Sequence, residues 1–538
     1  MADAVPLTPP LQSAWTPLRR PVFRALWLAT VASGVGTWMH DTAAAWLMTS
    51  LTTSTLMVAL MQTATSLPVL FLALPAGALA DIVDRRRLLL ITQSWMLGAA
   101  AVLGLLTVSG AMTPWLLLFL TFNLGLGVAL NTPAWQATTP DLVPPSELTE
   151  AVALNGIATN IARAIGPAIG GLLVAAIGSG GVFLLNAASF VAVVLVLRAW
   201  RKEPRETVLP AERVAGAMRA GVRYLRHAPA VRNVLARCAA FIFGASALWA
   251  LLPVLARREL GLGAVGYGLL LGCLGVGAII GGALLGQVRA RYSTDRIVGV
   301  STVVYAGATL TLAWVRSVPV LGLTLVICGF AWMSGMSLFN VSTQRTSPDW
   351  ARARMLSVYV LVYMGGIAIG AALWGTVAAA FGLRSALSAA AAAMLAGLLL
   401  TRRFRISAGE GLDLSPSGHW RVPESAAEVH PDAGPVLVTV EYRVPPDHAD
   451  AFAAAMEEVG ELRRRDGGIS WGLYRDTSQP DRYIETFVSE SWGEHMRQHA
   501  RATMADRRTE ARARAFHTGD TPPVVSHTIH VRTGGRRG

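Results

Sequence analysis
The chain has 538 residues, of which 53% are apolar and only 15% charged, and its mean hydropathy is +0.47. Soluble proteins carry about 25% charged residues, so a string of ordinary soluble domains is excluded; a surface this apolar needs lipid around it. The net charge of +13 suggests a nucleic-acid binder when taken whole, but residues 1–408 hold 30 Lys and Arg against 13 acids, while 409–538 hold 16 against 20. The excess therefore sits in the apolar part, and no nucleic-acid partner is expected.

Residues 1–24 contain no signal-peptide pattern and read as a cytoplasmic N-terminal segment. A helix needs about 20 mostly apolar residues to cross a bilayer core. Six such stretches lie near 25–49, 56–79, 88–108, 113–136, 151–177 and 180–198. Six more lie near 234–256, 265–288, 295–315, 318–341, 353–381 and 384–401. In hydrocarbon every backbone polar group must be paired within its own segment, so these are helices. The expected fold is an all-α polytopic membrane protein of 12 transmembrane helices, in bundles at 25–198 and 234–405, with a small ferredoxin-like α+β domain appended.

Basic residues gather in alternate loops: Arg85, Arg86 and Arg87, a set from Arg198 to Arg237, then Arg289, Arg291, Arg345, Arg352, Arg402 and Arg403. The remaining loops carry only Arg257, Arg258, Arg316 and Arg384. The positive-inside rule then places both termini in the cytoplasm of a multi-pass inner (plasma) membrane protein. The break at 199–233 alternates apolar and basic residues at helical spacing from Ala211 to Leu225, an amphipathic helix expected to lie on the anionic inner leaflet. Asn131, Gln136 and Pro140-Asp141 end the fourth helix, and Asn340, Gln344 and Pro348-Asp349 end the tenth, so the halves read as a parallel repeat.

Residues 406–435 are a Gly/Pro/Ser-rich linker. From 436 to 532 the pattern is βαββαβ: a strand from Val436 to Val444, a helix capped by Asp447 and running to Arg465, strands at 468–475 and 482–489, a helix at 491–516 and a last strand from Val524. Cys238, Cys273 and Cys328 form no zinc spacing, and no metal, cofactor or catalytic set is expected. No Walker A sequence occurs, and Lys202 is the only lysine, which argues against ATP-driven pumping.

Between the second and third helices stands Gly77-Ala78-Leu79-Ala80-Asp81-Ile82-Val83-Asp84-Arg85-Arg86-Arg87. Gly77 permits close helix packing, and Asp81 can accept bonds from a helix N-terminus and pair with Arg85. The fifth helix holds Asn155, Asn160, Arg163, Gly166-Pro167 and Gly170-Gly171; the Gly and Pro residues should bend it and fit it closely to a partner. Arg163 falls about 18 Å into its span, where an unpaired Arg costs about 2.5–3.5 kcal/mol. The first helix carries His40, Asp41 and Trp46, Asp41 being the one carboxylate well inside a span. Asp41, Asn160, Arg163 and Trp46 are candidates for coupling or for lining a substrate cavity, with Trp249, Trp332, Tyr359 and Tyr363 as aromatic lining.

The Gly77–Arg87 segment resembles the cytoplasmic signature of the major facilitator superfamily, with Gly77, Asp81, Arg85 and Arg86 matching, Ile82 in place of a common Arg and Asp84 in place of a Gly. The Gly166-Pro167 and Gly170-Gly171 pairs resemble the fifth-helix motif of that superfamily's drug exporters. Gly36-Thr37-Trp38-Met39, Asn131-Thr132-Pro133-Ala134-Trp135-Gln136 and Asn160 to Pro167 look like the branch of enterobactin-type siderophore exporters and macrolide efflux proteins, the transmembrane secretion effector type. The resemblance implies alternating access, a latch at Gly77, Asp81, Arg85 and Arg86, and proton-coupled export of a small hydrophobic compound, drug or siderophore, with protons and membrane lipids as further partners. The tail is similar to antibiotic-monooxygenase-like domains, which implies a regulatory or dimerising module. Two alternatives stand beside this reading: a bifunctional protein whose tail is a cofactor-independent monooxygenase, and a membrane sensor that does not transport.

Overall fold
The computed structural model describes residues 15–200, 214–406, 411–420 and 429–531. Five helices open the chain: α1 (Pro21–Leu51), α2 (Thr55–Ile82), α3 (Arg85–Val108), α4 (Pro114–Leu142) and α5 (Leu148–Ala199). After α6 (Val214–His227) come α7 (Pro229–Val254), α8 (Ala264–Arg291), α9 (Thr294–Trp314), α10 (Val318–Arg345), α11 (Asp349–Phe381) and α12 (Leu383–Leu400). Among the described residues ten helices are long and apolar enough to span a membrane. The 52-residue α5 counts once among them, although Gly178 breaks it into two rods at φ +73. The 31-residue α1 lies outside the ten, because polar residues, His40 and Asp41 among them, dilute its apolar run. Allowing for both, the twelve rods expected from the sequence are present.

Local sequence sets the helix ends. Pro21 and Pro114 occupy first turns, where their missing N–H costs nothing. The Ser54 and Thr113 hydroxyls accept from the backbone N–H of Met57 and Leu116. Asp84, a departure from the family pattern, caps α3 by accepting from Arg87 N at 2.8 Å. The closing hairpin of each six-helix block turns at a glycine in the left-handed region: Gly178 in the first, and Gly382, at φ +86, in the second. A side chain there would be strained, so these two turns mark the repeat in the backbone.

The chain forms two compact units. The first takes in α1–α5 and the greater parts of α7–α12. Its core includes Met48, Leu103, Leu117 and Phe183, all essentially inaccessible.

The second unit gathers α6, the turn between α10 and α11, and the chain from Arg405 onward. Its elements are β1 (Val436–Arg443), α13 (Ala449–Asp466), β2 (Gly468–Arg475), β3 (Arg482–Ser489), α14 (Trp492–Arg501), α15 (Met504–Arg514) and β4 (Val524–Ile529). The sheet order is β2-β3-β1-β4 with every pair antiparallel, as the βαββαβ reading requires. Two local expectations fail. His448, not Asp447, is the N-cap of α13, and it makes no side-chain cap bond. The single helix expected over 491–516 breaks at Thr503, whose hydroxyl accepts from Asp506 N while the Asp506 carboxylate accepts from Thr503 N, a capping box that starts α15.

Helix α6 exists, but its Tyr224 face is covered by protein where the sequence suggests a lipid leaflet. Tyr224 is buried, its hydroxyl donates to Thr346 O at 3.1 Å, and its ring meets Trp350 edge-on at 5.3 Å. Arg223 pairs with Glu494 at 2.9 Å and His227 Nδ1 lies 2.7 Å from Glu461. Residues 214–220, the start of α6, have side chains outside the described set.

A candidate transport cavity and its latch
Within the first unit α1, α2, α4, α5, α7, α8, α10 and α11 enclose a cavity of about 380 Å³. Asp41, His40 and Trp38 of α1, Gln62 of α2, Arg163 of α5, Trp249 of α7, Tyr267 of α8, Trp332 of α10 and Tyr363 of α11 all reach it. The aromatic rings form a continuous wall: Trp38 to Trp249 at 6.4 Å, Trp249 to Trp332 at 5.6 Å and Trp332 to Tyr363 at 6.3 Å between centroids. Such a wall offers flat apolar faces for an aromatic solute.

Three polar groups interrupt it. The Arg163 guanidinium lies 5.6 Å from the Trp38 centroid, and its Nε has no hydrogen-bond partner. Asp41 has no ion-pair partner among the described residues. His40 is buried, with both ring nitrogens lacking a partner and the ring 4.5 Å from that of Phe183. Leaving charged and polar groups unpaired in an apolar interior costs several kcal/mol unless a ligand, proton or water uses them.

The structure brings Asp41 and Arg163 to one cavity but separates the other two candidates. Asn160 lines a smaller recess of about 190 Å³ with Arg163, Gly275 and Met333. Trp46 stacks on Tyr267 at 5.8 Å and carries the Arg257 guanidinium 5.1 Å from its ring, and it does not line the main cavity. Asn155 donates to Thr139 Oγ1 of α4 at 3.1 Å. Tyr359 donates its hydroxyl to Met336 O at 3.3 Å.

Glycines in α5 set how closely the bundle packs. A Cβ on Gly166 would lie 2.5 Å from Trp38 Cβ, and one on Gly170 would lie 2.9 Å from Met39 Cα, so both seat α5 on α1. A Cβ on Gly171 would meet Ala264 O at 2.6 Å and Gly268 Cα at 2.8 Å, so backbone touches backbone where α5 crosses α8. Pro167 sits inside the helix, and its carbonyl would be 2.9 Å from a Cβ on Gly268. Thr63 of α2 donates to Ala368 O of α11 at 2.9 Å, a second seam between the six-helix blocks.

At the α2–α3 turn, Gly77 and Asp81 fall outside the described side chains. Arg85 Nη1 lies 3.4 Å from Asp141 Oδ2 at the end of α4. Arg86 donates to Leu197 O at 2.9 Å and Arg198 O at 2.8 Å, bonding the last carbonyls of α5. Sequence reasoning missed the ties at the other end of α2, where Arg257 donates to Thr49 Oγ1 at 3.1 Å and Arg258 donates to Thr52 O at 3.1 Å and Thr55 Oγ1 at 3.2 Å. Their only signal was two arginines in a loop class otherwise poor in charge.

In the second unit a charged network fills the space under the sheet. Buried Arg463 donates to Glu485 at 2.9 Å and Glu510 at 2.6 Å; Trp471 and Tyr442 donate to Glu485, and Trp420 to Glu510. Burial pushes the Glu510 carboxyl up, but the Arg463 charge and the bonds from His419 and Trp420 outweigh it and hold it well below the usual carboxylate range. Beside this network His495, His499 and His527 converge. Burial and neighbouring imidazoles push His495 down to about 4; burial first, then His527, pushes His499 down to about 4 as well. His527, which β4 brings beside the two α14 histidines, entered no candidate set read from the sequence.

Residues 12–534 match the transmembrane secretion effector family. The chain is 30% identical to the enterobactin exporter EntS of Salmonella choleraesuis over 366 residues, covering 66% of this chain and 85% of that protein. It is 28% identical to the multidrug efflux pump Tap of Mycolicibacterium fortuitum over 388 residues (68% and 91%), and 25% identical to the staphyloferrin A transporter of Staphylococcus aureus over 356 residues (65% and 87%). Its fold is shared with a bacterial homolog of the human lysosomal transporter Spinster in an inward-facing, unoccupied conformation (TM-score 0.57, 17% identity, covering 73% of this chain and 97% of that one). The nucleoside transporter NupG shares it too (TM-score 0.55, 11% identity, covering 71% and 99%). The cavity, the two glycine-marked blocks and these likenesses agree: the chain is a multi-pass membrane protein of the transmembrane secretion effector family, whose members are major facilitator transporters of small molecules and not enzymes.

Proposed function
We propose that this protein exports a small, largely apolar solute with aromatic character, of the drug or siderophore class, by alternating access coupled to protons. The observation that carries the reading is the aromatic wall of the cavity with Asp41 and Arg163 set into it. Flat rings bind against the wall of Trp38, Trp249 and Trp332, and Arg163 attracts an anionic or phenolic edge. Asp41 takes a proton or a cationic solute group in turn, because a carboxylate without an ion-pair partner in this setting favours whichever neutralises it. The exporter and efflux relatives support the outward direction.

Gly77, Asp81, Arg85 and Arg86 form the cytoplasmic latch in this reading, while Arg257 and Arg258 close the outer end. The basic helix ends face anionic lipid, with both termini in the cytoplasm.

Inverted membrane vesicles test the proposal. An inside-acid gradient should drive accumulation of at least one of a cationic dye, a macrolide and a catecholate siderophore. A protonophore and Asp41→Asn should each abolish the accumulation. Equal accumulation with and without the gradient overturns the coupling, and no accumulation of any probe overturns the export reading.

A further inference from the structure
We infer that the α+β tail holds a divalent transition-metal site built from His495, His499 and His527. The two α14 histidines stand four residues apart, which puts both rings on one face of the helix. Their Nε2 atoms lie 3.2 Å apart. Two nitrogens bound at about 2.0–2.1 Å to a tetrahedral zinc ion are separated by about 3.3 Å, so the spacing already suits a shared ion. His527 enters from β4, opposite Val438 of β1, and one donor atom from each histidine lies within 4.8 Å of the others.

The surroundings orient the ligands. The Gln498 amide is held from both sides: its Nε2 donates to Arg463 O at 3.3 Å, and its Oε1 accepts from Ser489 Oγ at 3.1 Å. That oxygen lies 3.4 Å from His495 Nδ1 and fixes the ring proton there, leaving the Nε2 lone pair aimed at the cluster. Trp420 meets His499 edge-on at 5.0 Å, and Trp492 flanks His495 and His527 at 5.8 and 6.1 Å. Arg463 is the charged group facing the histidines, and its charge is taken up by Glu485 and Glu510, which lie 2.9 and 2.6 Å from it.

An all-imidazole donor set selects zinc, nickel or copper over calcium or magnesium. Three protein ligands leave a fourth position for water or a small donor. The ion would also staple β4, an edge strand bonded only to β1, to α14.

Co²⁺ titration of the full-length, tag-free protein in detergent tests the site. One equivalent should bind with the visible absorption of tetrahedral cobalt and be displaced by Zn²⁺. His499→Gln and His527→Gln should each weaken binding at least tenfold, whereas His530→Gln should leave it unchanged. Hydrogen exchange of the β1 amides checks that each variant keeps its sheet. A folded wild-type chain that binds no cobalt overturns the assignment, as does binding that survives in the double variant.

Discussion

The guanidinium of Arg163 lies over the indole of Trp38, 5.6 Å from the ring centroid, inside the cavity both residues line. The contact joins α5 to α1 at the depth where an unpaired arginine is most costly. A desolvated cation–π pair contributes about 2 kcal/mol. Arg163→Ala should reduce efflux more than tenfold while membrane expression is retained; Trp38→Phe, which keeps a ring, should reduce it only a few-fold. Efflux assays on cells matched for protein level compare the two.

Gly171 and Gly268 should tolerate no side chain. Gly268→Val places carbon against the α5 backbone, where even a Cβ would be 2.9 Å from Gly171 Cα. The helices cannot yield without separating the two blocks, so transport should fall below a tenth of wild type. Cysteine cross-linking between α5 and α8 should slow in parallel, whereas Gly98→Ala, which meets nothing within 4 Å, should be silent in both measurements.

Arg86 ties the α3 start to the end of α5 through two carbonyls. A hydrogen bond from a charged group contributes about 1.5–3 kcal/mol. Arg86→Ala should therefore lower the melting temperature of the detergent-purified protein by several degrees. Asp84→Ala, which removes one cap bond of about 1 kcal/mol, should lower it less.

The Glu510 carboxyl is held below its ordinary value of 4.5 in the folded protein. With a depressed folded pKa, its contribution is fully present above the unfolded value and is lost as pH falls through 4.5 toward the folded value. Hydrogen exchange of the α13 and α15 amides in the full chain should accelerate over that interval. Glu510→Gln should flatten the dependence. Arg463→Met should cost about 3–5 kcal/mol, because it leaves buried Glu485 without its cation and takes the nearest one from Glu510.

Much of this protein is legible along the chain. Span length and the Arg distribution delimit the helices, because hydrocarbon admits no unpaired backbone and the apolar run must match its thickness. The βαββαβ order follows from alternation and turn residues, which act over a few positions. The depth of Asp41 and Arg163 also follows, being a count of residues along a helix. What pairs with what does not follow. Asn155 and Arg163 lie on one helix, yet one bonds Thr139 of α4 and the other turns to Trp38 of α1, because the residues between them carry the helix about 80° round. The apolar-basic face of α6 is as suited to lipid as to protein, and only α13 and Trp350 decide between them. The meeting of His527 with His495 and His499 depends on β4 adding to the sheet edge beside α14, a register set by contacts far apart in sequence. Sequence by itself determined the membrane spans, which depend on local composition, and pointed to the class of transporter through the resemblance of its motifs; the tertiary structure alone decided the cavity lining, the bonds of Arg85 and Arg86 and the histidine cluster, which depend on side chains brought together by packing.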